Sequence, residues 1–397
     1  MQPPHRQPQD TAVDVPNPSP PPDRRARANE GREGDAVIGR QLVARLSSRL
    51  RRAAPRILFV GHFQRDGGSS NALLGYARAA GRRGIDLRVS SLVPLHPEVE
   101  RAVPVADPEW RADYLVFVFE DWQYLSPPAL EQLQRSTPRS RRLVIDQDGK
   151  YSPPTSAGAD SNHRSDDEWR SWKGLFERLS DVILQPTLAA PQPGVESFLY
   201  FAAPPRIASC GTNRSFDVVY VGNNWYRWQD LVWFGQGIAP IRDRLGRIAV
   251  CGKWWDDETE RDHPEQTWSD PRLLKRLGIE LLPAVAFGDV VETMSRGRLN
   301  PQFVRPVLNE LALVTPRMFE AFAADTVPVF PPHLRHVDRL YGQAIEPLVL
   351  PERPAAAVLQ MLERHSEYAA LAKEIAGKLE REHSYDARLS QLLGFFG

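Results

Sequence analysis

Two stretches of this sequence begin in the same way, and that repetition limits the fold more than any other feature. Arg56-Ile57-Leu58-Phe59-Val60-Gly61, preceded by Pro55, is a short apolar run suited to a strand buried on both faces. Residues 71–83 then place Leu73, Leu74, Ala77 and Ala80 at helical spacing, and Gly84 ends the pattern. Further apolar runs at 87–90, 113–119 and 142–145 alternate with helical patterns, which predicts a parallel α/β sheet. The pattern restarts at Asp217-Val218-Val219-Tyr220-Val221-Gly222 and continues through strands at 248–252 and 327–330, with helices at 290–296 and 316–324. Two Rossmann-like sheets in series follow, over 55–205 and 206–354, and the tail 355–397 reads as a pair of helices with apolar faces marked by Met361, Leu362, Ile375 and Leu379.

The first 54 residues are of another kind. They are rich in Pro and charge and nearly free of aromatics, so they lack the apolar surface needed to offset chain entropy and are expected to be a disordered arm. A short amphipathic stretch at 37–50 is read as either a helix or a solvated lead-in. With 50 basic and 50 acidic side chains the chain shows no pull toward nucleic acid or an anionic membrane. A polar start, two cysteines without metal-ligand spacing (Cys210 and Cys251) and no run of about 20 apolar residues make a cytoplasmic protein the default. Peripheral membrane association stays open.

Four groups of residues are candidates for chemistry. Gly67 and Gly68 lie between the first strand and its helix, where missing side chains let backbone N–H groups approach a ligand; a tight turn capped by Ser69 or Ser70 explains them equally well. Asp146-Gln147-Asp148 follows a strand and has the spacing of a metal-holding acid pair, or is a strand-end loop. Glu120 and Asp121 follow the 113–119 strand, and His62 follows the first, at the carboxyl edges where α/β sheets bind ligands; Asp121, Asp148 and His62 are the candidate bases, with caps and ion pairs as the commoner alternative. Finally, Thr315-Pro316-Arg317 is a helix start in which Thr315 can cap, Pro316 suits the first position and Arg317 offers a forked partner to a diphosphate. Glu320, one turn on, would meet the hydroxyls of a ribose, or the segment is simply a capped core helix. The tryptophans Trp225, Trp228, Trp233, Trp254 and Trp255 are expected mostly in the core, with some free to stack on a sugar or base.

Three marks fall in order along the second half: Asp217 to Gly222 followed by Asn223, Asn224 and Arg227; Thr315-Pro316-Arg317-Met318-Phe319-Glu320-Ala321; and His383-Ser384-Tyr385-Asp386-Ala387-Arg388-Leu389. Together they resemble the glycosyltransferases related to spore maturation proteins, allied to the group 1 glycosyltransferases, from about residue 56 onward and most strongly after 215. The Gly67-Gly68 loop is similar to the opening βα unit of the group 1 enzymes. The resemblance implies a GT-B fold, two Rossmann-like domains facing a central cleft, with the last helices crossing back to the first domain. It further implies a nucleoside diphosphate sugar as donor, held by Gly67, Gly68, Gly222, Asn223, Asn224, Arg227, Thr315, Arg317, Phe319 and Glu320, with an unidentified acceptor on the first domain. No metal and no organic cofactor is expected, and a catalytically degenerate nucleotide-sugar-binding scaffold is the alternative. Two departures bear on this choice: Asp325 stands where these families carry Gly, and Ala312, eight residues before Glu320, replaces the first member of the paired-glutamate pattern.

Overall fold

The computed structural model describes residues 54–65, 67–107, 109–118, 126–207, 214–256, 263–334 and 336–396. The expected arm, with its amphipathic stretch, lies outside these residues, as do Cys210, Glu120 and Asp121. Residues 54–397 form one compact unit.

The first sheet has six parallel strands: β1 (Arg56–Gly61), β2 (Asp86–Val89), β3 (Tyr114–Val118), β4 (Arg142–Ile145), β5 (Val182–Gln185) and β6 (Val195–Ser197), in the order β2-β1-β3-β4-β5-β6. Alternation along β1 explains its sequence. Ile57 and Phe59 join the core that contains Leu73 and Tyr76, whereas Leu58 and Val60 join Leu115, Phe117 and Phe176 on the other face. Both faces are covered, so the strand has no polar alternation to show.

The second sheet has five strands, β7 (Phe216–Val221), β8 (Ile248–Cys251), β9 (Ile279–Leu282), β10 (Gly297–Pro301) and β11 (Val327–Val329), also parallel and ordered β11-β10-β7-β8-β9. In each sheet the first strand is an interior one and the chain reverses direction of progress beside it. This places a switch point between β1 and β3 in the first sheet and between β7 and β10 in the second, where open α/β sheets leave a crevice at their carboxyl ends.

The two halves are bonded to each other along a short seam. Val314 N–H donates to the Pro186 carbonyl, Leu188 N–H to the Ala312 carbonyl, and the Thr187 hydroxyl to the Leu311 carbonyl. The C-terminus supplies a second clasp. Three helices, Ala355–Glu363, His365–Glu382 and Tyr385–Gly394, end the chain, one more than the apolar pattern suggests. Ser384 caps the last of them, and Tyr385 packs its ring edge-on to Tyr76, 5.4 Å between centroids, in the space left by Gly75. Arg82 pairs with Asp386 at 2.5 Å, so this final helix lies on the helix Gly68–Arg82 of the first half. The return to the first domain is therefore present.

Candidate functional site

A cleft of about 220 Å³ opens between the two halves, lined chiefly by residues that follow β1 and β4 of the first sheet and β7 and β10 of the second. The second half contributes Tyr220, Arg227, Phe303, Val304, Arg305, Leu308 and the run Val314 to Arg317; the first contributes Gly68, Gln147, Asp148 and Phe201. Arg227 ends the loop after β7 and Arg305 the loop after β10, so the topology itself brings them to one crevice.

Each guanidinium is held differently. Arg227 donates from Nη1 to the carbonyls of Asn223 (3.2 Å) and Trp225 (3.1 Å) and from Nε to that of Phe303 (3.3 Å). Burial lowers its pKa, and the neighbouring Arg317 and Arg305 charges act the same way. Arg305 is braced across the domain seam by Asp160, with contacts of 3.1 and 2.7 Å to one carboxylate oxygen, while the other oxygen accepts the Val307 N–H at 3.1 Å. Arg317 lies over Glu320, with Nε 3.5 Å from Oε2, too far for a hydrogen bond to the carboxylate. Its Nη1 and the Glu320 Oε2 are both buried and have no hydrogen-bond partner among the described residues. Arg227, Arg305 and Arg317 all line the cleft, and Arg317 Nη1 has no partner among the described residues, so this wall is chemically suited to an anion.

Glu320 itself is 2% exposed and lies beneath Arg317 instead of lining the cleft. Burial raises its pKa and the Arg317 charge opposes the shift. The Tyr385 hydroxyl is pushed up by burial first and by the Glu320 charge second, which places the C-terminal clasp within electrostatic reach of the same carboxylate.

The helix start differs from its sequence reading. The helix runs Arg317–Ala323, its N-cap is Pro316 and no side chain caps it, so the Thr315 hydroxyl lines the cleft without serving as a cap. Only seven residues long, this helix has a weak dipole, and the arginines carry the charge. Phe319 is fully buried and belongs to the core.

Gly68 and Gly222 have steric reasons and Gly67 has none. A Cβ on Gly68 would stand 2.9 Å from Pro316 Cγ, so this residue lets the first half approach the second at the cleft; Gly67 has open space around it. The helix after them begins at Gly68 with Gly67 as an N-cap that provides no side-chain bond, and Ser69 turns its hydroxyl to Gln147 at 2.9 Å. A Cβ on Gly222 would meet the Tyr220 hydroxyl at 2.6 Å and Arg317 Nη1 at 3.0 Å. The Gly222-Asn223-Asn224 loop turns inward: Asn224, fully buried, donates to the carbonyls of Trp254, Thr267 and Trp268, and the Asn223 side chain accepts the Lys253 N–H. What this loop visibly does is position Arg227.

Among the candidate bases, Asp148 lines the cleft, His62 is buried at the end of β1 away from the lining, and Asp121 lies outside the described residues. Asp146, the partner of Asp148 in the acid pair, accepts from the N–H groups of Lys150 (2.8 Å) and Tyr151 (2.7 Å) and from Gln185 (2.7 Å), a loop brace. Among the described residues no cluster of three or more His, Cys, Asp or Glu side chains is placed to hold a metal ion. Sequence reasoning missed Tyr220, Asp160 and Arg305. Only the Arg305-Pro306 step hinted at a strand end followed by a helix start.

The Asp325 departure has a backbone explanation. Asp325 adopts φ +52°, a left-handed conformation that glycine takes freely and that Asp tolerates better than most residues. Its carboxylate also pairs with Arg214 at 3.3 Å. Ala312 likewise has φ +51° and sits in the domain seam, outside the cleft lining.

With this geometry the class is defined: two parallel sheets facing one crevice and a C-terminal return, the GT-B fold. Residues 236–394 match the family model described as glycosyl transferase-like. No curated protein matches the chain. Solved structures do. An alpha-glucosyltransferase in complex with UDP and a 13-mer DNA aligns with a TM-score of 0.58 at 11% identity, covering 86% of this chain and 99% of that one. T4 phage BGT in complex with its UDP-glucose substrate aligns at 0.51 and 13%, and the DNA modifying enzyme beta-glucosyltransferase at 0.53 and 13%, with the same coverage. At these identities the likeness is one of fold. Among the described residues no helix is long and apolar enough to cross a membrane.

Proposed function

We propose that the protein is a glycosyltransferase that moves a sugar from a nucleoside diphosphate sugar to an acceptor hydroxyl in this cleft. The observation that carries the reading is the meeting of Arg227, Arg305 and Arg317, from three separate segments, at the switch point of the second sheet. As the bond between the sugar and the diphosphate breaks, negative charge grows on the leaving phosphate, and preorganised guanidinium groups stabilise it more than they stabilise the donor. This is the work a divalent cation does elsewhere, so turnover needs no metal. Glu320, beneath Arg317 and off the cleft lining, orients that guanidinium through its charge. Asp148, on the opposite wall, is the candidate to take the acceptor proton.

The solved structures named with UDP or UDP-glucose make a uridine diphosphate sugar the first donor to test. A thermal-shift screen of the full chain against nucleoside diphosphates and nucleotide sugars tests the reading, since a ligand of the folded state raises its apparent stability. One nucleotide series should stabilise the protein, with the sugar form acting at least as strongly; no shift from any of them would remove the donor site. The scaffold alternative predicts the same shift without turnover. Solved structures similar to this chain contain DNA, but the acidic Asp230 and Glu310 beside this cleft disfavour a phosphate backbone as acceptor.

A further inference from the structure

A second, larger groove of about 690 Å³ lies behind the cleft, and none of the readings above uses it. One wall is the helix Trp228–Ile238, which presents Gln229 and Asp230 and, one turn on, Trp233. The other is the short helix Pro306–Glu310, which presents Asn309 and Glu310. The partition between groove and cleft is a single segment: Arg305 and Leu308 face the cleft, Pro306 and Asn309 face the groove, and Val304 lines both.

The chemistry of the two compartments is opposite. Where the cleft gathers three cations, the groove offers two carboxylates, two amides, an imidazole and an indole. Trp233 donates its indole N–H to the Glu352 carbonyl at 3.2 Å and stands edge-on to His333, so what it shows the groove is ring carbon surface held in a fixed orientation. Asp230 is aligned by His333 at 3.3 Å, and Glu310 by the Ser156 N–H and hydroxyl at 2.8 and 2.9 Å. Planar acceptors and amides beside an anchored aromatic face match the alternating hydroxyls and C–H faces of a sugar ring. Two carboxylates exclude an anionic ligand, and the volume falls within the roughly 300–1,000 Å³ of small-molecule sites.

We propose that this groove binds a neutral oligosaccharide and holds the non-reacting sugar units of the acceptor, a role that rests on the transferase reading while the binding itself does not. Saturation-transfer NMR of the full chain with maltotriose, cellotriose and chitotriose, each with and without UDP, tests it. At least one trisaccharide should receive saturation, with or without UDP. The signal should vanish in Gln229→Trp, which fills the groove from an exposed helix position, and in Trp233→Ala, with folding of both followed by circular dichroism. Gln229→Trp should keep UDP affinity within about twofold, since the partition separates the compartments. No transfer from any of the three, or a signal that survives Gln229→Trp in a folded protein, overturns the proposal. Trisaccharide binding without UDP binding would instead leave the groove standing and remove the transferase reading.

Discussion

Replacing Arg317 by alanine separates two effects of one guanidinium. Glu320 is almost fully buried, and burial already makes its folded-state carboxyl hold a proton more tightly than the ordinary value of 4.5. The sign follows from linkage: where the native state binds more protons than the unfolded chain, stability falls as pH rises from that ordinary value to the folded one, then levels. Without Arg317 the folded value climbs further, so the fall continues to higher pH, at about 1.4 kcal/mol for each unit. Stripping a partner from a fully buried pair costs about 3–5 kcal/mol. Here Arg317 keeps 22% of its side chain exposed and the contact is 3.5 Å, so the loss near neutral pH should be smaller, about 1–3 kcal/mol. Adding Glu320→Gln to Arg317→Ala removes the stranded charge and should restore most of the stability and flatten the pH profile. UDP affinity, by contrast, should stay lower by about 1.5–3 kcal/mol in both, because the phosphate partner is gone in both. Urea unfolding across pH about 5 to 8.5, with calorimetric titration of UDP, measures both. A loss of stability that is independent of pH and equal in the single and double variants would refute the pairing, and unchanged UDP affinity would refute the phosphate role.

Gly68→Ala should cost about 1–3 kcal/mol in thermal unfolding, because its Cβ would press a proline ring at 2.9 Å with little room to yield. Asp325→Gly removes left-handed strain together with an ion pair to the largely buried Arg214 side chain, which keeps its bonds to the Ser295, Gly297 and residue-325 carbonyls, so melting should move by less than about 1 kcal/mol and UDP affinity not at all. Donor turnover should survive EDTA, as expected where arginines neutralise the diphosphate; loss of activity restored by manganese would assign that work to a cation.

Much of the fold was legible because strands buried on both faces are apolar throughout: β1, β4, β7 and β8 lie where the apolar runs place them. The strands that escaped notice, β5, β6, β9 and β10, carry Gln185, Glu196, Glu280, and Arg298 with Asn300, polar residues that tertiary position accommodates. Arg298, for instance, pairs with Asp217 at 3.1 Å. The site was half legible for the same reason. Arg227 and Arg317 follow recognisable strand and helix patterns, but Arg305 follows β10, and without that strand nothing assigns it to the switch point. Asp160, 145 residues away in sequence, braces it from a loop with no periodic signal. The Thr315 cap failed because propensity cannot tell whether Pro316 stands inside the helix or at its cap.

The most direct test of the account is a crystal structure of the full chain with UDP. The β-phosphate should lie within hydrogen-bond distance of Arg317 and of at least one of Arg227 and Arg305. UDP bound in the groove beside Trp233, or in the cleft with its phosphates turned away from all three arginines, would contradict the donor site on which the proposed transfer rests.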